Sequence, residues 1–304
     1  MDASTSVTAG RDNVTQADPA ALLDYGTQLV SVPPPGYSLN VYPEAGEASA
    51  AFVMPRGVVD EQRQEDDDDA SLWSMLDPET RRELNVMRAT SRARGRLRRY
   101  AVRNRLTYLH TLTYRCVACS CDPCECGQKL GPDTRATVKR HVAAFMRTLR
   151  DHLGGQPIPY AYVIERGSQS TKRLHVHVLL PCHLEETATV GAAPVMAALW
   201  GRGRVDLRFR GGAVDGDRAK ARACARYLTK YLSKSLGDED EAWAHSYERS
   251  QGHNVRVVKR ARLTYSDAVT LAAWMLDANA DTYLSDSEAW VDYEGPPAFF
   301  MSVN

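Results

Sequence analysis

Hydrophobic and polar positions along this chain fall into two kinds of stretch, one with a period of two and one with a helical period, and together they predict a mixed fold. In Leu174-His175-Val176-His177-Val178-Leu179-Leu180 the alternation is that of a strand. Side chains of a strand point to its two faces in turn, so His175 and His177 share one face and Leu174, Val176, Val178 and Leu180 take the other. Tyr160 to Glu165 reads as a second strand. The polar stretch from Arg166 to Lys172, with Gly167 and three hydroxyl residues, joins the two as a hairpin that sets Glu165 beside His175. Thr107 to Tyr114 reads as an earlier core strand. Between it and the hairpin, Val138, Val142, Phe145, Met146 and Leu149 recur at helical spacing, with Asp133 as the candidate cap.

Downstream, the pattern predicts a helix near Glu185 to Trp200, a strand over Arg204 to Phe209, and a helix from about Asp217 to Leu236. Tyr227 and Tyr231 are four apart in that last helix, so they lie on one of its faces with Lys230 and Lys234 close by. Upstream, Asp77 is the candidate cap of a helix covering Arg81 to Arg103. The order strand-helix-strand-strand-helix-strand-helix predicts an α+β fold. Its central antiparallel sheet has a split β-α-β, ferredoxin-like arrangement flanked by helices, with the first strand beside the histidine strand. Residues 1–77 are rich in Ala, Ser, Pro, Gly and acids without a sustained period, and are expected to be disordered or low-complexity. The expected organisation is then a basic helical lead-in (78–106), a catalytic domain (107–236) with a Cys-rich insertion (115–132), and a C-terminal appendix (237–304). The appendix holds a basic segment, Arg256 to Arg262, and a helix, Ser266 to Leu276.

Charge adds a local signal. Lysine and arginine total 38, as do aspartate and glutamate, which excludes a global polycation. The layout is polarised, however: Arg81 to Arg105 holds ten arginines against one glutamate. A helix so basic can contact phosphates, and Arg92, Arg94, Arg96, Arg98 and Arg99, with Lys234, are the candidate DNA contacts. No run approaches the roughly 18 apolar residues of a membrane span, and the first residues lack a basic start followed by an apolar block. A soluble cytoplasmic protein without a membrane partner is expected. In a reducing cytosol clustered cysteines read as metal ligands. The spacing Cys116, Cys119, Cys121, Cys124, Cys126 suits a structural zinc on Cys116, Cys119, Cys124 and Cys126, with Cys121 as an alternative ligand.

Two imidazoles and a carboxylate, Glu165, His175 and His177, are donors for a divalent ion with positions open to a phosphate oxygen and water. A tyrosine on a neighbouring helix is a nucleophile. Together they suit metal-assisted attack by a tyrosine on a phosphodiester, with the ion on an open sheet face.

Three segments carry a family resemblance. Leu109-His110-Thr111-Leu112-Thr113-Tyr114, the His-hydrophobic-His strand and the Tyr-x-x-Lys-Tyr-x-x-Lys helix resemble, in order, the motifs of rolling-circle replication initiators of the HUH endonuclease superfamily. The two-tyrosine helix is most similar to that of the gene A proteins of small single-stranded DNA phages. The Arg-rich lead-in, the segment from Gly201 to Lys234 and the stretch Tyr293 to Ala298 resemble initiators of plasmids and phages of high-GC Gram-positive bacteria. The resemblance runs from about Arg81 to the C-terminus, and the cysteine insertion departs from the family pattern.

It implies a site-specific nicking and joining endonuclease using Mg2+ or Mn2+, a 5′-phosphotyrosine intermediate and a free 3′-hydroxyl that primes synthesis. Tyr227 would make the first cleavage, Tyr231 the terminating transfer, and Lys230 would assist. The substrate would be single-stranded or hairpin origin DNA, and host helicase and DNA polymerase would be partners, since no phosphate-loop signature is present. Two alternatives are an HUH transposase or relaxase with the same chemistry, and a non-catalytic zinc-containing DNA-binding protein.

Overall fold

The computed structural model describes residues 36–53, 75–115, 132, 134–166, 174–181, 193–209, 216–235, 247–279, 282–286 and 298–303. Along these run β1 (Gly36–Tyr42), a 3-10 turn (Pro43–Ala45), β2 (Glu47–Val53), α1 (Pro78–Arg103), β3 (Leu106–Leu112), α2 (Arg135–His152), β4 (Ala161–Arg166) and β5 (Leu174–Pro181). Then follow α3 (Ala193–Trp200), β6 (Val205–Phe209), α4 (Asp217–Ser235), β7 (Tyr247–Arg249), β8 (Val258–Leu263), α5 (Tyr265–Leu276), β9 (Tyr283–Asp286) and β10 (Phe299–Ser302). They form two compact units, one within Tyr42–Glu47 and Asp60–Val258, the other within Met1–Val41, Ala48–Val59 and Lys259–Val303. The fold is α+β, as the sequence pattern predicts. None of the described helices is long and apolar enough to cross a membrane.

The larger unit is built on a sheet of order β6-β3-β5-β4-β7. Strand β5 runs antiparallel to both β3 and β4, which flank it, so β3 and β4 are parallel and α2 makes the crossover between them. This is the expected split β-α-β unit, with the histidine strand at the centre. Each face of β5 has its own core. Leu174, Val176, Val178 and Leu180 pack with Val142, Phe145 and Leu149 of α2 and with Trp200 of α3. Leu179, with Leu109, Ala161 and Val163, packs under Leu97, Tyr100 and Ala101 of α1 and Cys224, Ala225 and Leu228 of α4. Burial of each such large aliphatic or aromatic side chain contributes about 1.5–3 kcal/mol.

Local signals start the helices. Asp77 caps α1 as expected, its side chain accepting from the backbone N–H of Glu79 and Thr80, with Pro78 in the first turn. Helix α2 is capped by Thr134, whose hydroxyl accepts from Thr137 N, in place of the expected Asp133, which lies outside the described residues.

The expectation of a disordered stretch through Asp77 is corrected for residues 36–53. Strand β1 alternates buried and partly buried positions, with Tyr37, Leu39 and Val41 inward. The turn after it is tied to the helices. Ala45 is buried with Val102 and Ala221, and Arg222 donates to the carbonyls of Ala45 and Gly46. Glu47, only 1% exposed, accepts from Arg98 Nε at 2.7 Å and Nη2 at 3.1 Å.

The second unit corrects the picture of a loose C-terminal appendix. Its sheet has the order β8-β1-β2-β10-β9, so segments from both ends of the chain share it. Tyr265 at the start of α5 meets Tyr37 and Phe299 edge to face, and Leu271, Ala272 and Leu276 of that helix are buried. The basic segment expected over Arg256 to Arg262 forms part of the edge strand β8.

Candidate nucleic-acid cleavage site

Cross-strand register lays out the face of the larger sheet that carries the histidines. Glu165 on β4 pairs with His175 on β5, as the hairpin expectation required, and Val163 pairs with His177. On the other side of β5, His177 pairs with Thr111 of β3, and Thr111 with Asp206 of β6. Continuing that register by one residue sets Thr113 beside His175 and Arg204 beside Thr113, where Thr113 N donates to Arg204 O at 2.9 Å. Facing residues on neighbouring strands point to the same side of the sheet. One face therefore carries a row Arg204, Thr113, His175, Glu165 and a row Asp206, Thr111, His177, Val163. The next row, Leu109, Leu179 and Ala161, is apolar and lies under α1 and α4.

This face is less open than the sequence suggests. His177 is 6% exposed and the Glu165 side chain 13%, because the two helices that cover the apolar row shelter the polar rows beside it. Burial obliges polar groups to find partners. His177 Nδ1 lies 3.1 Å from Thr111 Oγ1, and its Nε2 lies 2.9 Å from Glu165 Oε2. An ionised carboxylate only accepts, and a neutral imidazole has one donor and one acceptor nitrogen. With Thr111 accepting from Nδ1–H, the Nε2 lone pair faces a carboxylate oxygen, and a proton or a cation must lie between them. This donor chemistry fits a divalent ion. Among the described residues, however, no three His, Cys, Asp or Glu side chains are arranged to hold a metal ion: the Glu165 and His177 donors are bonded to each other.

Helix α4 brings Tyr227 to the same side of the sheet. Leu228, Cys224 and Ala225 anchor it on Ala161 and Val163, and Tyr227 packs partly buried against that cluster. Lys230 Nζ stands 5.4 Å from the Tyr227 ring centroid. Tyr231 and Lys234 belong to the same helix, and their side chains lie outside the described residues. Other tyrosines of this unit are poorer nucleophiles. Burial pushes the phenols of Tyr100, Tyr114, Tyr160 and Tyr162 above their usual range, which disfavours the anion.

The arginines expected to meet DNA divide into two groups. Arg92, Arg94 and Arg96 are exposed on α1. Arg98 and Arg99 turn to the buried Glu47, Arg99 also lying 4.1 Å above the Tyr42 ring, so their charge is engaged within the protein. Cys116, Cys119, Cys121, Cys124 and Cys126 lie outside the described residues. Cys224 is buried and donates to Thr107 O. Sequence reasoning missed Thr111 as a support for His177, and Asp206 and Arg204 as members of the same face. The Thr-x-Thr alternation of β3 was the available signal for Thr111.

Residues 107–236, which span β3 to α4, match the family model described as replication-associated protein ORF2/gene 2 protein. No curated protein and no solved structure matches the chain. The match supports a replication initiator, and with it DNA binding.

Proposed function

We propose that this protein initiates rolling-circle DNA replication as a metal-dependent, site-specific single-strand endonuclease and strand transferase of the two-tyrosine HUH type. The observation that carries the reading is the His177 ring, held between Thr111 and Glu165 beside His175, on the sheet face over which α4 lays Tyr227. Glu165, His175 and His177 would hold Mg2+ or Mn2+, which when bound supplies charge neutralisation at the scissile phosphate.

Thr111 fixes the His177 ring so that Nε2, not Nδ1, faces the reaction side. Glu165 supplies the negative charge that keeps a cationic partner there. Tyr227 provides the nucleophile: as its phenolic proton leaves, the Tyr227 oxygen bonds to phosphorus, the P–O3′ bond breaks, and the departing oxygen takes a proton to become a 3′-hydroxyl. Lys230, beside the ring, favours the phenolate electrostatically. The tyrosine ester conserves the bond, so a 3′-hydroxyl can rejoin the strand without a nucleotide cofactor. Tyr231, one turn along the same helix, allows that transfer while Tyr227 is still loaded.

The substrate in this reading is single-stranded or hairpin origin DNA, guided by Arg92, Arg94 and Arg96. Host helicase and polymerase would complete replication. A structural zinc on four of the five clustered cysteines belongs to the proposal on spacing alone. Incubation of the protein with single-stranded DNA and Mn2+, with a chelator control, tests the reading. Metal-dependent nicking supports it, and metal-independent binding without nicking supports a non-catalytic DNA-binding protein instead.

A further inference from the structure

We infer that Arg204, held by Asp206 on the edge strand beside the histidines, is a phosphate-binding residue of the site and grips the strand next to the scissile bond. The inference rests on the reading of this face as a single-strand nicking centre. Three observations carry it. Arg204 and Asp206 are two apart on one strand and so lie on the same face, and Arg204 Nε meets Asp206 Oδ1 at 2.8 Å. Register sets Arg204 in the row that runs through Thr113 to His175 and Glu165, so its backbone stands two strand spacings, ~10 Å, from that of His175. The Arg204 side chain is 66% exposed and that of Asp206 only 20%, so the guanidinium is steadied from below while its outer edge meets solvent.

The backbone is built for this placement. An added Cβ at Gly203 would lie 2.3 Å from Thr113 O and 2.6 Å from Arg115 N, so only glycine lets the chain press this closely against the end of β3. The hydrogen bonds Thr113 N to Arg204 O and Arg115 N to Arg202 O extend the sheet through this contact and fix the Arg204 backbone beyond the last residue of β3. A planar guanidinium oriented through one nitrogen retains donors that match a phosphodiester. Surface arginines in general are solvated charges. This one differs in being oriented by a half-buried carboxylate and placed in the row of the candidate site.

The test uses the full chain. Binding of fluorescent oligothymidylate is followed across a salt series, and covalent adduct formation with a random-sequence single-stranded oligonucleotide pool is followed with Mn2+. Arg204→Ala is expected to weaken binding about five- to tenfold and to lower the slope of log affinity against log salt by about 0.7, the value of one single-strand phosphate contact. It should raise KM for nicking while leaving kcat near wild type. Arg204→Lys, which keeps a point charge, should recover the slope but only part of the affinity. Arg147→Ala, on α2 over the opposite face, should behave as wild type. A wild-type protein that forms no adduct would overturn the underlying reading of the site. Adduct formation together with an unchanged slope and affinity in Arg204→Ala would overturn this inference alone.

Discussion

Glu165 Oε2 and His177 Nε2 lie 2.9 Å apart on adjacent strands, and the far nitrogen of the same ring lies 3.1 Å from Thr111 Oγ1. A ring held from both sides has one orientation. That is what a ligand histidine needs, since a partner on the second nitrogen sets its tautomer and its aim.

Thr111→Val keeps the shape of that side chain and removes the hydroxyl. The expected result is a stability loss of about 1 kcal/mol with a nicking rate lower by about 10-fold or more, as for other residues that support a metal ligand. Thermal melts and nicking kinetics across a Mn2+ titration check it, and excess Mn2+ should restore part of the rate.

Gly203→Ala introduces a Cβ where Thr113 O would stand 2.3 Å away. Backbone cannot yield as a flexible side chain does, so the variant should lose about 1–3 kcal/mol. Differential scanning calorimetry should show a fall in Tm of several degrees, with weaker oligonucleotide binding as Arg204 moves.

Glu47 is buried against Arg98 and Arg99. Glu47→Ala leaves those cations uncompensated and should cost about 3 kcal/mol in urea unfolding, at the lower end for a broken buried pair because Arg98 keeps some water. Replacing Glu47 and Arg98 together by Met should recover most of that loss, which would identify the cost as the stranded charge.

The pH dependence of stability should carry a signature of His141, which meets Tyr114 through a 3.2 Å hydrogen bond. Burial, then Arg202 and Arg140, lower its pKa below the usual histidine value of 6.5. The unfolded chain therefore takes up a proton at higher pH than the folded one. The stability this site contributes is complete above about pH 6.5 and is lost as pH falls through the folded value. Tm measured from pH 8 down to pH 5 should fall less steeply in His141→Gln than in wild type.

The half of the chain that carries the candidate site was legible because its pattern and its chemistry coincide on single elements. The alternation of β5 declares a core face and a histidine face at once, and the Tyr227 helix repeats at four. The hairpin between β4 and β5 is local, so the meeting of Glu165 with His175 was readable too. Arg204 and Asp206 were not, since they join the row through pairing with β3, a strand some ninety residues away, and nothing local encodes that register. Strand β1 shows the period-two signal in Tyr37, Leu39 and Val41, but it follows the proline run Pro33 to Pro35 and precedes an acidic stretch, and those neighbours outweighed it. β2, Glu47–Val53, carries three alanines and little β-branched character, so its strand state comes from its neighbours in the sheet. Arg98 and Arg99 looked like DNA contacts because their partner, Glu47, is distant in sequence.

The most direct measurement is mass spectrometry of the protein–DNA adduct. Wild-type protein is incubated with single-stranded DNA and Mn2+, digested with nuclease and then with trypsin. Trypsin cuts after Arg226, Lys230 and Lys234, so Tyr227-Leu-Thr-Lys230 and Tyr231-Leu-Ser-Lys234 are separate peptides of different mass. The account predicts a 5′-linked nucleotide on the Tyr227 peptide, its loss in Tyr227→Phe, and no adduct without a divalent ion. A full-strength adduct from the Tyr227→Phe, Tyr231→Phe double variant, or nicked DNA with no peptide attached, would contradict it.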